Sequence, residues 1–115
     1  MRLRSDIWVA AYLRRCQVEG ANAVLRRRGA AEAGAIFVKV DHLDGFATLY
    51  GPAPQSLALE LKAGVERIFT RAHNQDSIGS GEAEERLRRE IAFDPDLWIV
   101  EVEKGPPGAW LDLAP

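Results

Sequence analysis

Leu97-Trp98-Ile99-Val100-Glu101-Val102-Glu103 is the stretch on which the fold turns. Successive side chains of a strand point to opposite faces, so Trp98, Val100 and Val102 form an apolar row and Leu97, Ile99, Glu101 and Glu103 a mixed one. Two other segments alternate in the same way. Residues 35–42 set Ile36, Val38 and Val40 against Phe37, Lys39 and Asp41. Residues 7–14 read as a third strand, with Ile7, Val9, Ala11 and Leu13 opposite Trp8, Ala10, Tyr12 and Arg14. The aliphatic rows are the expected core. The opposite face, where aromatic rings mix with charges of both signs, is the expected place for function.

Working outward, residues 18–28 read as a short helix, with Val18, Ala21 and Leu25 on one face, Arg26, Arg27 and Arg28 in the last turn, and Gly29 as its stop. Cations in that turn suit the negative end of a helix, which accounts for the three arginines without a nucleic acid. Asp44-Gly45 marks a hairpin between the 35–42 strand and Phe46-Ala47-Thr48-Leu49-Tyr50, because this pair accepts positive φ. Gly51-Pro52-Ala53-Pro54 is expected to break the sheet. Leu57 to Ala72 is ambiguous between helix and strand; a loop or short helix to residue 63 and a strand over 66–72 are the reading adopted. Residues 74–81 form a polar loop. Ser80 is placed to cap a helix over 82–91, which buries Ala83, Leu87 and Ile91 and pairs Glu82 with Arg86, Glu84 with Arg88 and Glu85 with Arg89. Asp94-Pro95-Asp96 ends that helix, and Trp110, Leu111 and Leu113 form a tail that must dock.

The 115 residues fit a single domain, 1–115, able to bury a core without covalent staples. One cysteine, Cys16, excludes an internal disulfide and a cysteine-rich zinc site. With no apolar leader after Met1-Arg2-Leu3-Arg4 and no long apolar run, a cytoplasmic setting away from membranes is expected. Net charge is −2, yet residues 1–50 carry eight basic and five acidic side chains, and residues 51–115 seven and twelve. Such asymmetry could serve an anionic partner through a basic patch or join the halves across a dimer, but the reading adopted is attraction between the two halves within the fold.

The order Ile7-Trp8-Val9-Ala10-Ala11-Tyr12-Leu13-Arg14-Arg15, Gly34-Ala35-Ile36-Phe37-Val38-Lys39-Val40, Leu49-Tyr50-Gly51-Pro52-Ala53-Pro54-Gln55 and Phe93-Asp94-Pro95-Asp96-Leu97-Trp98-Ile99-Val100-Glu101-Val102-Glu103, with residues 26–29 between the first two, resembles the bacterial family catalogued as domain of unknown function 1491. The resemblance spans nearly the whole chain. It implies no activity, ligand or catalytic residue.

No constellation specifies a chemistry. Asp94, Asp96, Glu101 and Glu103 offer the oxygens that a hard cation wants, but the aspartates stand at the far end of the strand from the glutamates. Glu103 and Lys104 are adjacent and point apart, unlike the acid-x-lysine of nucleases. Cys16 has no base near it in the chain, and His42 and His73 make a poor zinc pair. Gly79-Ser80-Gly81 lacks the lysine of a phosphate loop.

The resulting expectation is an α+β domain with a mostly antiparallel sheet of about five strands and two helices packed on one face. Functionally it is a non-enzymatic interaction module, a homodimer or accessory to another protein, binding through Trp8, Tyr12, Arg14, Phe37, Lys39, Asp41 and Glu101, with no cofactor and no metal. The alternative is a small-ligand binder or enzyme using Arg14, Lys39, Asp41 and Glu101 in a shallow pocket on that face. Nucleic-acid binding through the arginine clusters is a third class, disfavoured by interleaved acids and a pI of 5.7.

Overall fold

The computed structural model describes residues 3–54 and 67–114. Among these, two helices, α1 (Ser5–Val18) and α2 (Ser80–Phe93), accompany six strands: β1 (Ala23–Arg27), β2 (Ile36–Asp41), β3 (Phe46–Pro52), β4 (Phe69–Arg71), β5 (Ile78–Gly79) and β6 (Trp98–Glu103). The sheet runs β1-β6-β2-β3-β4, with β5 beside β3. All pairings are antiparallel except the central one, β2 with β6. The fold is therefore α+β with a mostly antiparallel sheet, as the alternation in β2 and β6 indicates.

The amino-terminal third corrects the sequence reading. Residues 7–14 are not a strand but the middle of α1. Apolar side chains fill both alternating rows there, so period two carried no information. The spacing that decides is Ser5, Val9, Tyr12 and Cys16, the buried face of α1. Residues 18–28 are not a helix either. α1 ends in a Schellman motif: Gly20, at φ +82°, donates its N–H to the Gln17 carbonyl and Ala21 donates to Cys16. The chain then enters β1. A register shift between Leu25 and Arg27 opposite β6 makes Arg26 the extra residue of a bulge.

The helices also lie on opposite faces of the sheet, not on one. Val9, Tyr12 and Cys16 of α1 pack on Ile36, Val38 and Val40 of β2 and Trp98, Val100 and Val102 of β6. Ala83 and Leu87 of α2 pack on Phe37, Leu49, Leu97 and Ile99. Both rows of the central strands are thus interior, which is why neither reads as purely polar. Ser80 is not a side-chain cap; Gly79 holds the cap position, and the Ser80 N–H donates to the Gly45 carbonyl. Glu82 pairs with Arg86 as expected, whereas Glu84 reaches across to the sheet and Arg88 lies 3.9 Å from Glu85. β3 runs through Gly51 and ends at Pro52, opposite Phe69. The strand expected over 66–72 appears as β4; the loop or helix expected up to residue 63 lies outside the described residues. The tail docks, with Phe69 donating to the Asp112 carbonyl and accepting from Ala114.

β4 and β5 share one flank of β3 and are separated by residues 72–77. His73 fills that gap: its Nε2 accepts the Leu49 N–H at 3.1 Å, and its Nδ1–H donates to the Gln75 carbonyl at 2.8 Å. Arg71 clamps the same turn by donating to the His73 and Asn74 carbonyls and pairing with Asp76, and Arg86 donates to the Ala72 carbonyl. A protonated ring has no lone pair for Leu49. Burial, with Arg71 and Arg86 nearby, accordingly holds the His73 pKa below its ordinary 6.5, against the pull of the Gln75 carbonyl and Glu82. The unfolded chain takes up the proton first, so this contribution to stability is complete above pH 6.5 and is lost as pH falls through the lower folded value. His73→Ala is expected to cost about 1–3 kcal/mol at pH 7.5, because a buried N–H is left unmatched. Urea midpoints at pH 7.5 and 5.5 check this: the deficit of the variant should narrow at the lower pH.

Candidate functional site

The residues singled out from sequence divide between the two faces. Tyr12 is buried on the α1 side, where its hydroxyl donates to the Ala109 carbonyl at 2.9 Å and burial pushes its pKa up. Trp8 stacks on Tyr12 with ring centroids 5.0 Å apart and meets Phe69 at 5.3 Å, while Arg14 is exposed on the outer side of α1. Phe37, Lys39, Asp41 and Glu101 belong to the α2 side, and Phe37 and Lys39 are buried. The expected recognition face, with rings and charges side by side on an open sheet, is therefore not present as one surface. Cys16 is fully buried, and burial raises its thiol pKa, which removes it from nucleophilic chemistry.

Lys39 and Glu101 do meet, as register partners in the parallel pair, with 3.7 Å between their charged atoms. The bulge turns Arg26 to the same side. Arg26 grips Glu84 through two hydrogen bonds of 2.7 Å and donates to Glu101 at 2.9 Å, and Lys39 donates to Glu84 at 2.7 Å. Two cations and two anions close a ring over three strands and α2. The hydrogen bonds from Arg26, with help from Lys39, hold the Glu84 carboxyl well below the usual range, at about 2, while burial opposes them. This ring joins basic residues of the first half to acids of the second, as the charge asymmetry suggested. It is saturated by its own partners and acts as a clasp between α2 and the sheet.

The more open feature lies at one end of the sheet. β2 and β6 run parallel and finish together, Asp41 opposite Glu103, and Lys104 extends the pairing by donating to the Asp41 carbonyl at 2.8 Å. The turn from α1 to β1 arrives at the same end through Glu19, Gly20, Ala21 and Asn22. Leu43 from the hairpin and Pro106 and Trp110 from the tail complete the walls of a groove of about 520 Å³. That volume falls within the range of small-molecule sites. Tyr12 and Tyr50 anchor the tail that carries Trp110: Tyr12 donates to the Ala109 carbonyl, and the Tyr50 hydroxyl accepts from Gly108.

The backbone around this groove is unusual. Among the described residues, four that are not glycine have left-handed φ: Leu43 at +62°, Lys104 at +52°, Ala109 at +47° and Trp110 at +60°. Three of them line the groove, and Ala109 precedes Trp110. Each such residue costs about 1–2 kcal/mol relative to a relaxed backbone. Sequence reasoning missed all of them, since nothing in Leu43, Lys104 or Trp110 as residue types announces positive φ. The signal available was the convergence of Gly20, Gly45 and Gly105-Pro106-Pro107-Gly108 as breaks flanking the same strand ends. Among the described residues no group of three histidine, cysteine or acidic side chains stands ready for a metal ion, and no helix is long and apolar enough to cross a membrane.

The class these features define is an α+β domain whose sheet is covered on both faces and whose parallel central pair opens into a groove at its carboxyl end. A family model described as a protein of unknown function, DUF1491, matches residues 3–110, and the chain belongs to that family. It is similar to the solution structure of protein Atu0922 from A. tumefaciens, with 41% identity over 98% of this chain and 95% of that one and a TM-score of 0.79. It is also similar to a DUF1491 family protein from Caulobacter crescentus CB15, in a crystal structure at 33% identity over the whole of both chains and a TM-score of 0.77. An NMR structure described as a DUF1491 family protein from the same organism gives 31% identity over 100% of this chain and 99% of that one, with a TM-score of 0.73. No curated protein matches the chain.

Proposed function

We propose that this protein is a non-enzymatic interaction module that recognises its ligand in the groove at the carboxyl end of β2 and β6. The single observation that carries this reading is the gathering of left-handed, non-glycine backbone around one concavity. Strain of that kind persists where the surrounding structure enforces it, and it concentrates at ligand clamps. The tail supplies that enforcement through Tyr12, Tyr50 and the Phe69 pairing. Ligands also favour the carboxyl ends of parallel strands in open sheets, where connections diverge and leave a crevice. Isopropanol, phenol and acetamide serve as probes. In ¹H–¹⁵N spectra of the full chain they are expected to shift the amides of Gly20, Leu43, Lys104 and Trp110 together. Shifts scattered over the surface, or confined to another region, would remove the groove from consideration.

Self-association is a second reading, favoured by the outer side of α1. Ile7 is 50% and Val18 79% exposed, and Ala10, Ala11 and Arg14 are exposed between them. An antiparallel crossing of two copies at Ala10 and Ala11 would bury these apolar side chains and set the two helix dipoles favourably. Sedimentation from micromolar to millimolar concentration tests this arrangement. A dimer abolished by Ile7→Glu supports it; a monomer throughout contradicts it.

A further inference from the structure

We propose that the groove binds a zwitterionic small molecule, one carrying an ammonium or guanidinium at one end and a carboxylate at the other. The inference rests on the groove being the recognition site and adds the chemistry of its occupant. Glu103 and Lys104 are adjacent in the chain and both line the groove. Neither carries an ion pair to the other or to any other described residue. The left-handed backbone at Lys104 ends the strand geometry there. The Glu103 carboxylate accepts from Asn22 Nδ2 at 3.4 Å. On the acidic side the field is reinforced. α1 presents its negative end at the same turn, and the Glu19 carboxylate, shared with Arg15 at 3.2 Å, lines the wall. Trp110 also lines the groove, and an indole attracts a cation and covers an aliphatic chain equally well. A ligand with one charge meets only one of Glu103 and Lys104. A ligand with both, joined by a short apolar linker lying on Trp110, Leu43 and Pro106, uses every kind of group that the groove offers.

Three probes of one chain length separate the contributions: 6-aminohexanoate, hexylamine and hexanoate, each titrated into the full chain and followed through the amides of Gly20, Leu43, Lys104 and Trp110. The zwitterion is expected to bind two- to fivefold more tightly than either singly charged analogue, the range expected of one exposed ion pair. Glu103→Gln should bring 6-aminohexanoate down to the affinity of hexanoate, and Lys104→Gln to that of hexylamine. Glu103→Gln is isosteric and Lys104→Gln removes a charge, both at exposed side chains, and an unchanged urea midpoint confirms that each variant is folded. If hexylamine or hexanoate binds in the groove as tightly as 6-aminohexanoate, the zwitterion inference falls and the groove remains a binding site. If none of the three moves those amides, and the uncharged probes do not either, both readings fall. To tell a free ligand from the end of a partner chain, an unblocked Gly-Gly-Gly peptide is compared with 6-aminohexanoate. Preference for 6-aminohexanoate supports the free small molecule, and preference for the peptide overturns it.

Discussion

The parallel pairing of β2 with β6, in register from Ile36 opposite Trp98 to Asp41 opposite Glu103, is the constraint on which the rest of the molecule depends. It places two strongly apolar strands side by side with both faces in need of cover. One face receives α1 and the other α2, so the chain encloses two cores separated by a single layer of backbone. Because parallel strands end on the same side, their carboxyl ends open together. The α1–β1 turn, the hairpin and the tail then have to converge there, which creates the groove.

Covering both faces obliges the chain to deal with the charges in the odd-numbered rows. Lys39 is about as buried as the aliphatic side chains around it. It is tolerated because Glu84 arrives from α2 and Glu101 from β6, and because the bulge in β1 turns Arg26 inward to balance them. Leaving an ammonium there without partners would cost several kcal/mol; pairing it converts that liability into a specific orientation for α2. Glu103 and Lys104, which this ring does not consume, lie at the strand ends.

The legible parts of the fold were those in which one local rule dominates. Alternation in β2 and β6, the Asp44-Gly45 turn and the amphipathic α2 are each written in adjacent residues. α1 is not. Its run from Ile7 to Leu13 is apolar on every side, because Val9 and Tyr12 face the core while Ile7 and Ala11 lie outside, and such a run satisfies period two and period 3.6 equally. Gly20 was the decisive clue: as the left-handed residue of a helix end it fixes α1 before it and a strand after it. The helix starts were not visible locally, since Ser5 and Asp6 donate to the carbonyls of Glu32 and Ala31, and Ser80 to that of Gly45. Of the candidate site residues, Phe37, Lys39, Asp41 and Glu101 share one side of the sheet, as the alternation of β2 and β6 indicates. The separation of Tyr12 from Phe37 by the thickness of the sheet required knowing that the helices cover both faces. The groove itself belongs to tertiary structure, assembled from three segments distant in sequence: residues 19–22, Leu43 and residues 103–110.

Native-state hydrogen exchange of backbone amides tests the central role of the β2–β6 pair most directly. The amides of residues 37–40 and 99–102 should be the slowest in the molecule and should open together, with one free energy equal to that of global unfolding. If β2 and β6 exchanged with clearly different free energies, or if the β3–β4 flank outlasted them, the parallel pair would not be the element that holds this fold together.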